Sequence, residues 1–212
     1  MKLTIRCILI SFVMLAMAGC TSEYKYTPPT ETAALNNSIV VDKGKDEVWK
    51  EIVPALGKTF FVINNLDKES GLINISYSGD PEKYVDCGRI HSLVSNLAGE
   101  RTYNFPASKA HQQYELLNNT VLWNIVRKMD LDGRMNIIVE ELGPKQTKIT
   151  ANARYVLTKS VTQTGYQGYP ATATNTISFN SGQRGQFSQG TICQCSGKFE
   201  EEVLSLLVGS KK

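Results

Sequence analysis

The chain has 212 residues, 42% hydrophobic and 20% charged, with 23 basic against 20 acidic side chains. That balance excludes a disordered, collagenous or polybasic nucleic-acid-binding chain, and the length suffices for one domain with a real core. Without the first 19 residues, which hold Lys2 and Arg6, the count falls to 21 against 20, so nothing predicts electrostatic capture of DNA or RNA.

Lys2 and Arg6 give a basic start, and Cys7 to Ala18 are apolar except for Ser11. About a dozen residues fall short of the roughly 20 that span a bilayer, so residues 1–19 read as a secretory signal and not a permanent anchor. Leu15-Ala16-Met17-Ala18-Gly19-Cys20 resembles a bacterial lipobox, with small residues at the two positions before the cysteine and Met17 where Leu is commoner. The resemblance implies diacylglycerol on the Cys20 thiol, cleavage just before it and acylation of the new amino group. The next residue is Thr21, not the Asp that marks inner-membrane retention. The resemblance therefore implies a lipoprotein anchored in the outer membrane of a Gram-negative envelope, with inward or outward facing left open.

Thr21 to Asn37 include Thr27-Pro28-Pro29-Thr30 and little apolar periodicity, so residues 20–37 read as a lipidated cysteine and a flexible tether. Fully extended, such a tether reaches on the order of 50 Å. A single domain is expected over residues 38–212. Ser38 to Val41 is a short apolar run, and Val48, Ile52 and Leu56 form a helical stripe after Gly44. Pro54 predicts a kink or an early end, since proline inside a helix costs about 3 kcal/mol. Thr59 to Asn64 and Gly71 to Ser78 flank a turn-rich segment and predict a hairpin.

Residues 88–133 are the least regular part, apart from an apolar stretch near Leu116 to Val126 that reads as helical. Met135, Ile137 and Val139 then alternate, Gly143-Pro144 turns the chain, and Ile149, Ala151, Ala153, Tyr155 and Leu157 alternate again. One apolar face and one polar face predict an antiparallel sheet with a wet side. Thr191 to Cys195 predict a last strand, and Ser196 caps a helix with Phe199, Val203, Leu206 and Leu207 on one stripe.

These elements predict an α+β domain, an antiparallel sheet with helices packed on one face. The order resembles the helix-grip domains of the lipoprotein component of the outer-membrane β-barrel assembly machinery. That resemblance covers about residues 38–208 and rests on element order and the lipobox.

Of five cysteines, Cys7 leaves with the signal and Cys20 takes the lipid, so Cys87, Cys193 and Cys195 remain. An oxidising compartment favours a disulfide, for which Cys87–Cys195 is preferred and Cys87–Cys193 is the alternative. Cys87, His91, Cys193 and Cys195 could instead hold zinc, although neither half has the common C-x₂₋₄-C spacing. His111 lies in a polar stretch and reads as a surface residue.

Neither a G-x-S-x-G elbow, an H-E-x-x-H pair nor a phosphate-binding glycine loop occurs, so no catalytic residue, metal or cofactor is assigned. Asp130, Asp132, Glu140 and Glu141 form the main acidic cluster, and Asp130-x-Asp132-Gly133 reads as a turn. Trp49 and Trp123 are core candidates. Thr162 to Gly190 lack acids and mix Gln, Gly, Thr, Ser and Asn with Tyr166, Tyr169, Phe179 and Phe187. They form either two strands joined by long flexible loops or an adaptable partner surface. The expected role is non-enzymatic: an outer-membrane periplasmic lipoprotein, held through lipid on Cys20, that binds an envelope protein. A lipoprotein that binds a small apolar ligand or lipid is the alternative.

Overall fold

Two strands of unusual length, β9 (Val121–Gly143) and β10 (Gln146–Gly165), form an antiparallel hairpin that is the spine of the molecule. The computed structural model describes residues 21–30, 35–118, 121–165 and 168–208. Odd-numbered side chains on both long strands face inward, from Ile125 to Val139 and from Thr147 to Lys159, while even-numbered ones are exposed or half-buried. A period of two along both strands builds one buried stripe.

Each long strand is flanked by two shorter strands in succession. β4 (Leu72–Gly79) pairs with β9 over residues 131–138, and β8 (His111–Asn118) pairs with it over 121–128. On the other side β2 (Ser38–Val41) covers residues 147–150 of β10, and β11 (Ala171–Asn180) covers 154–163. β3 (Val62–Asp67) pairs with β4 and completes the seven-stranded sheet.

A second sheet has the order β1-β6-β7, from Thr21–Thr27, Arg89–Asn96 and Gly99–Pro106. It lies against β8, where Ser92 Oγ donates to the Glu115 carbonyl at 2.6 Å and Ser22 Oγ donates to that of Leu117 at 3.1 Å. A third sheet joins β5 (Val85–Asp86), β12 (Arg184–Gln186) and β13 (Ile192–Cys195).

The helices are α1 (Lys45–Leu56) and α2 (Lys198–Val208). Strand accounts for 62% of the described residues and helix for 13%, so the α+β expectation of a sheet covered by helices does not hold. The protein is mainly antiparallel β. The expectation failed at residues 88–133, which supply three further strands and the first half of β9. The apolar stretch near Leu116 to Val126 is a β8–β9 pairing and not a helix, with Leu116 opposite Trp123. α1 continues two residues beyond Pro54, because a proline that close to the end removes little of the hydrogen-bonding ladder.

Thr21 to Thr27 are also ordered, as seven residues paired along β6, where a mobile tether was expected. Their side chains are mostly exposed, so backbone hydrogen bonds and not burial hold the strand. Gly88 admits its far end: φ is +76°, and a Cβ there would lie 2.1 Å from the Thr27 carbonyl oxygen. Tyr26 fastens the same end, accepting from the Ile192 amide at 2.9 Å and donating toward the Cys87 carbonyl at 3.0 Å.

Beneath α2 the core is aromatic. Phe199 is fully buried among the rings of Phe61, Tyr84 and Tyr155, with centroids 5.4, 5.0 and 6.1 Å away. Gly133, between Tyr77 and Tyr155 in register, makes room for it: a Cβ there would be 3.1 Å from the Phe199 ring.

Candidate functional site

The disulfide joins Cys87 to Cys193, the alternative partner, and leaves Cys195 as a buried free thiol. Register explains the choice. β5 and β13 pair Val85 with Cys195 and Asp86 with Gln194, so Cys87 comes opposite Cys193 as the strands continue. Burial pushes the Cys195 thiol up from its ordinary value, a setting that suppresses the thiolate and suits a structural cysteine. Two of the residues considered for zinc are thus consumed, and among the described residues no group of three or more His, Cys, Asp or Glu is placed to hold an ion. His111 is exposed on β8. Cys20 lies outside the described residues.

Asp130 and Asp132 are exposed in the middle of β9, in a strand and not the expected turn, and Glu140 and Glu141 are exposed near its end. Trp49 and Trp123 are half-buried against the core. Within Thr162 to Gly190, Phe179 and Phe187 are buried, Tyr169 is exposed and Tyr166 lies outside the described residues. The exposed face of β10 and β11 carries three hydroxyl pairs, Thr158–Thr176, Ser160–Thr174 and Thr162–Thr172, at 3.1, 2.8 and 2.8 Å. Much of the segment is therefore paired strand, β11 and β12 with the end of β10.

One buried cluster has the residue types of an active site. The fully buried Glu200 carboxylate accepts from Tyr155 at 2.8 and 2.9 Å and from Ser181 at 2.6 Å, near Cys195. Burial and the carboxylate push the Tyr155 phenol far above its ordinary value. The carboxylate has its donors, both donors are occupied, and the helix α2 begins beside it, which favours the negative charge. Such a cluster holds α2 on β10.

Recesses open on the surface among the described residues. One of about 580 Å³ runs past Pro28, Pro29, Lys83, Asp86, Arg89 and Lys198. Another, about 490 Å³, lies on the wet face among Asn74, Arg134, Asn136, Asn152, Arg154 and Asn180. Polar and charged residues are frequent in both linings, with apolar surface between them.

The most organised surface feature is the distribution of exposed apolar side chains along the spine. At one end three hairpins turn together. Thr21 pairs with Ser95 beside the β6–β7 turn, Asn118 with Val121, and Trp123 with Gly165 just before the β10–β11 connection. The hydrogen bond from Ser22 to Leu117 ties the first two together. Leu97 is 95% exposed at one tip and Tyr169 97% exposed in the β10–β11 connection, with Val121 exposed at the remaining tip. Away from those tips, Val40, Leu66, Ile138 and Leu142 are exposed toward the β9–β10 turn, and Phe60 and Val62 are exposed on the β3 side, level with the middle of β9. Among these, Val62 and Leu66 lie on β3, an edge strand whose second side pairs with nothing among the described strands. Unpaired edges with apolar side chains are templates for a partner strand.

No protein-family model, curated protein or solved structure matches the chain. No described helix is long and apolar enough to cross a membrane.

Proposed function

We propose that this is a lipid-anchored lipoprotein of the outer membrane that stands on the bilayer by its three hairpin tips and offers its far end to an envelope protein. The observation that carries this reading is the position of Thr21. It follows the lipobox cysteine directly and begins β1 beside Ser95, at the end where Leu97, Val121 and Tyr169 are exposed. An acyl chain on Cys20 would emerge among those tips, so anchor and apolar side chains would enter the same leaflet. Several acyl chains hold such a protein firmly, at about 0.8 kcal/mol per buried CH₂.

The far end is then carried away from the membrane. A strand of 23 residues at about 3.3 Å per residue measures roughly 75 Å along its path. The free β3 edge, with Phe60 beside it, supports a protein partner by strand addition.

Mass spectrometry of membrane-purified protein tests the anchor: the mature chain should begin at acylated Cys20, and Cys20→Ala should release it from the membrane. Photo-crosslinkers at Val62 and at Thr174 in living cells test the partner. A discrete protein adduct is expected only at Val62. An unmodified Cys20 overturns the anchor, and equal labelling at the two positions overturns the partner-facing end.

A further inference from the structure

Where the β1-β6-β7 sheet covers the spine, the buried stripe changes from apolar to cationic. Arg127 is 4% exposed and Lys159 is 2% exposed. In the β9–β10 register Arg127 is opposite Val161 and Lys159 opposite Met129, so the two cations are diagonal neighbours on the inward face. Neither takes part in any of the ion pairs among the described residues, which involve Lys43, Lys68, Lys83 and Arg101.

Their own contacts leave donors over. One Arg127 terminal nitrogen donates to the Ala107 carbonyl, but Nε is buried with no partner. Lys159 Nζ stands 4.4 Å from the centroid of the buried Phe187 ring. Beyond burial, Arg127 pushes the Lys159 ammonium further down, and the phenols of Tyr114, Tyr24 and Tyr26 lie around Arg127. All of these groups can donate a proton in a hydrogen bond, and none is a carboxylate. Burying two like charges without a counter-charge costs several kcal/mol per ion, so buried cations are ordinarily paired or hold a ligand.

We propose that Arg127 and Lys159 form an internal site for an oxyanion, a carboxylate or phosphate group bound between the guanidinium and the ammonium. The planar guanidinium suits two-point contact with such a group through Nε and a terminal nitrogen, and the ammonium closes the other side as a point charge. Tyr114, buried beside Arg127, adds a phenol whose proton burial holds up to about 12. This inference is independent of the membrane anchor.

Thermal unfolding of the full mature chain tests it, in inorganic phosphate, in acetate and in chloride at matched ionic strength. A micellar short-chain phosphatidic acid is the fourth arm. Phosphate also stabilises proteins by exclusion from their surface, so the decisive quantity is the difference between wild type and Lys159→Met. In wild type, Tm should rise saturably by roughly 5 °C at a hundredfold excess of the preferred oxyanion over its Kd. In Lys159→Met the saturable rise should vanish, while the Tm in chloride should exceed that of wild type because a buried charge has gone. Isothermal titration of wild type and Lys159→Met with phosphate and with acetate gives the same comparison without unfolding. Protection by the amphiphile alone would make the ligand a lipid headgroup. Protection by inorganic phosphate or acetate would make it a free anion. Wild type behaving alike in all four arms, or a saturable rise that survives in Lys159→Met, overturns the site.

Discussion

Both halves of the spine bury charge, and they treat it in opposite ways. Beneath α2 a single carboxylate, Glu200, receives hydrogen bonds from Tyr155 and Ser181. Beneath the β1-β6-β7 sheet two cations share one carbonyl and one aromatic ring, and the buried Arg127 Nε has no partner. The backbone pattern is the same in both places, an inward side chain at every second residue. What differs is whether the covering element brings complementary groups. The helix-covered half is built for stability, and the sheet-covered half keeps unused donors in its interior.

The joint between the halves gives the largest expected effect. The Cys87–Cys193 bond ties the segment before β6 to β13 across 106 residues of sequence. Cys87→Ser should lower the unfolding free energy by about 2–5 kcal/mol, measured by urea titration, and reductant should do the same to wild type but add little to the variant. If the two halves melt separately after reduction, with two transitions in calorimetry, the bond is what couples them.

Glu200→Gln sharpens the first side of the comparison. The amide keeps the volume but replaces one acceptor oxygen by a donor that meets the Tyr155 and Ser181 hydroxyls. We expect a loss of about 1–3 kcal/mol, since a buried hydrogen-bond group is left unsatisfied. Little change would mean that the hydrogen bonds from Tyr155 and Ser181 do not hold α2 in place.

Lys159→Met addresses the other side, and its sign is opposite. Burial, and then Arg127, depress the Lys159 ammonium to about 8. Between that value and the ordinary one near 10.5 the unfolded chain binds more protons, so the Lys159 contribution rises with pH through that window. In chloride buffer at pH 7 the variant should be more stable than wild type by about 1–3 kcal/mol, and the gap should close as pH approaches 10. A gap that is constant with pH would show that folding does not depress the Lys159 ammonium.

Alternation made part of this fold legible. Ile137, Val139, Ile149, Ala151 and Tyr155 mark the two long strands where they cross the apolar half. The same strands could not be followed farther because Arg127 and Lys159 occupy inward positions that the code reserves for apolar residues. β1 escaped notice for a related reason: Thr21 to Thr27 bury almost nothing, and a strand held by its backbone leaves no mark in side-chain pattern. Leu116 to Val126 looked helical because two strands meeting at a turn crowd apolar residues together without a clean period of two. The cysteine pairing depended on a register that spacing alone does not specify. The exposed tips around Thr21 were not visible at all, since they are gathered from three hairpins distant in the chain.

The proposed anchoring and orientation on a membrane are tested most directly by short-range fluorescence quenching with brominated acyl chains. Lipidated protein is reconstituted into vesicles in a background where Trp49 and Trp123 are replaced by Phe, carrying either Leu97→Trp or Phe60→Trp. The account predicts strong quenching for the Leu97→Trp protein and none for the Phe60→Trp protein. Equal quenching at both positions, or quenching only in the Phe60→Trp protein, would contradict it.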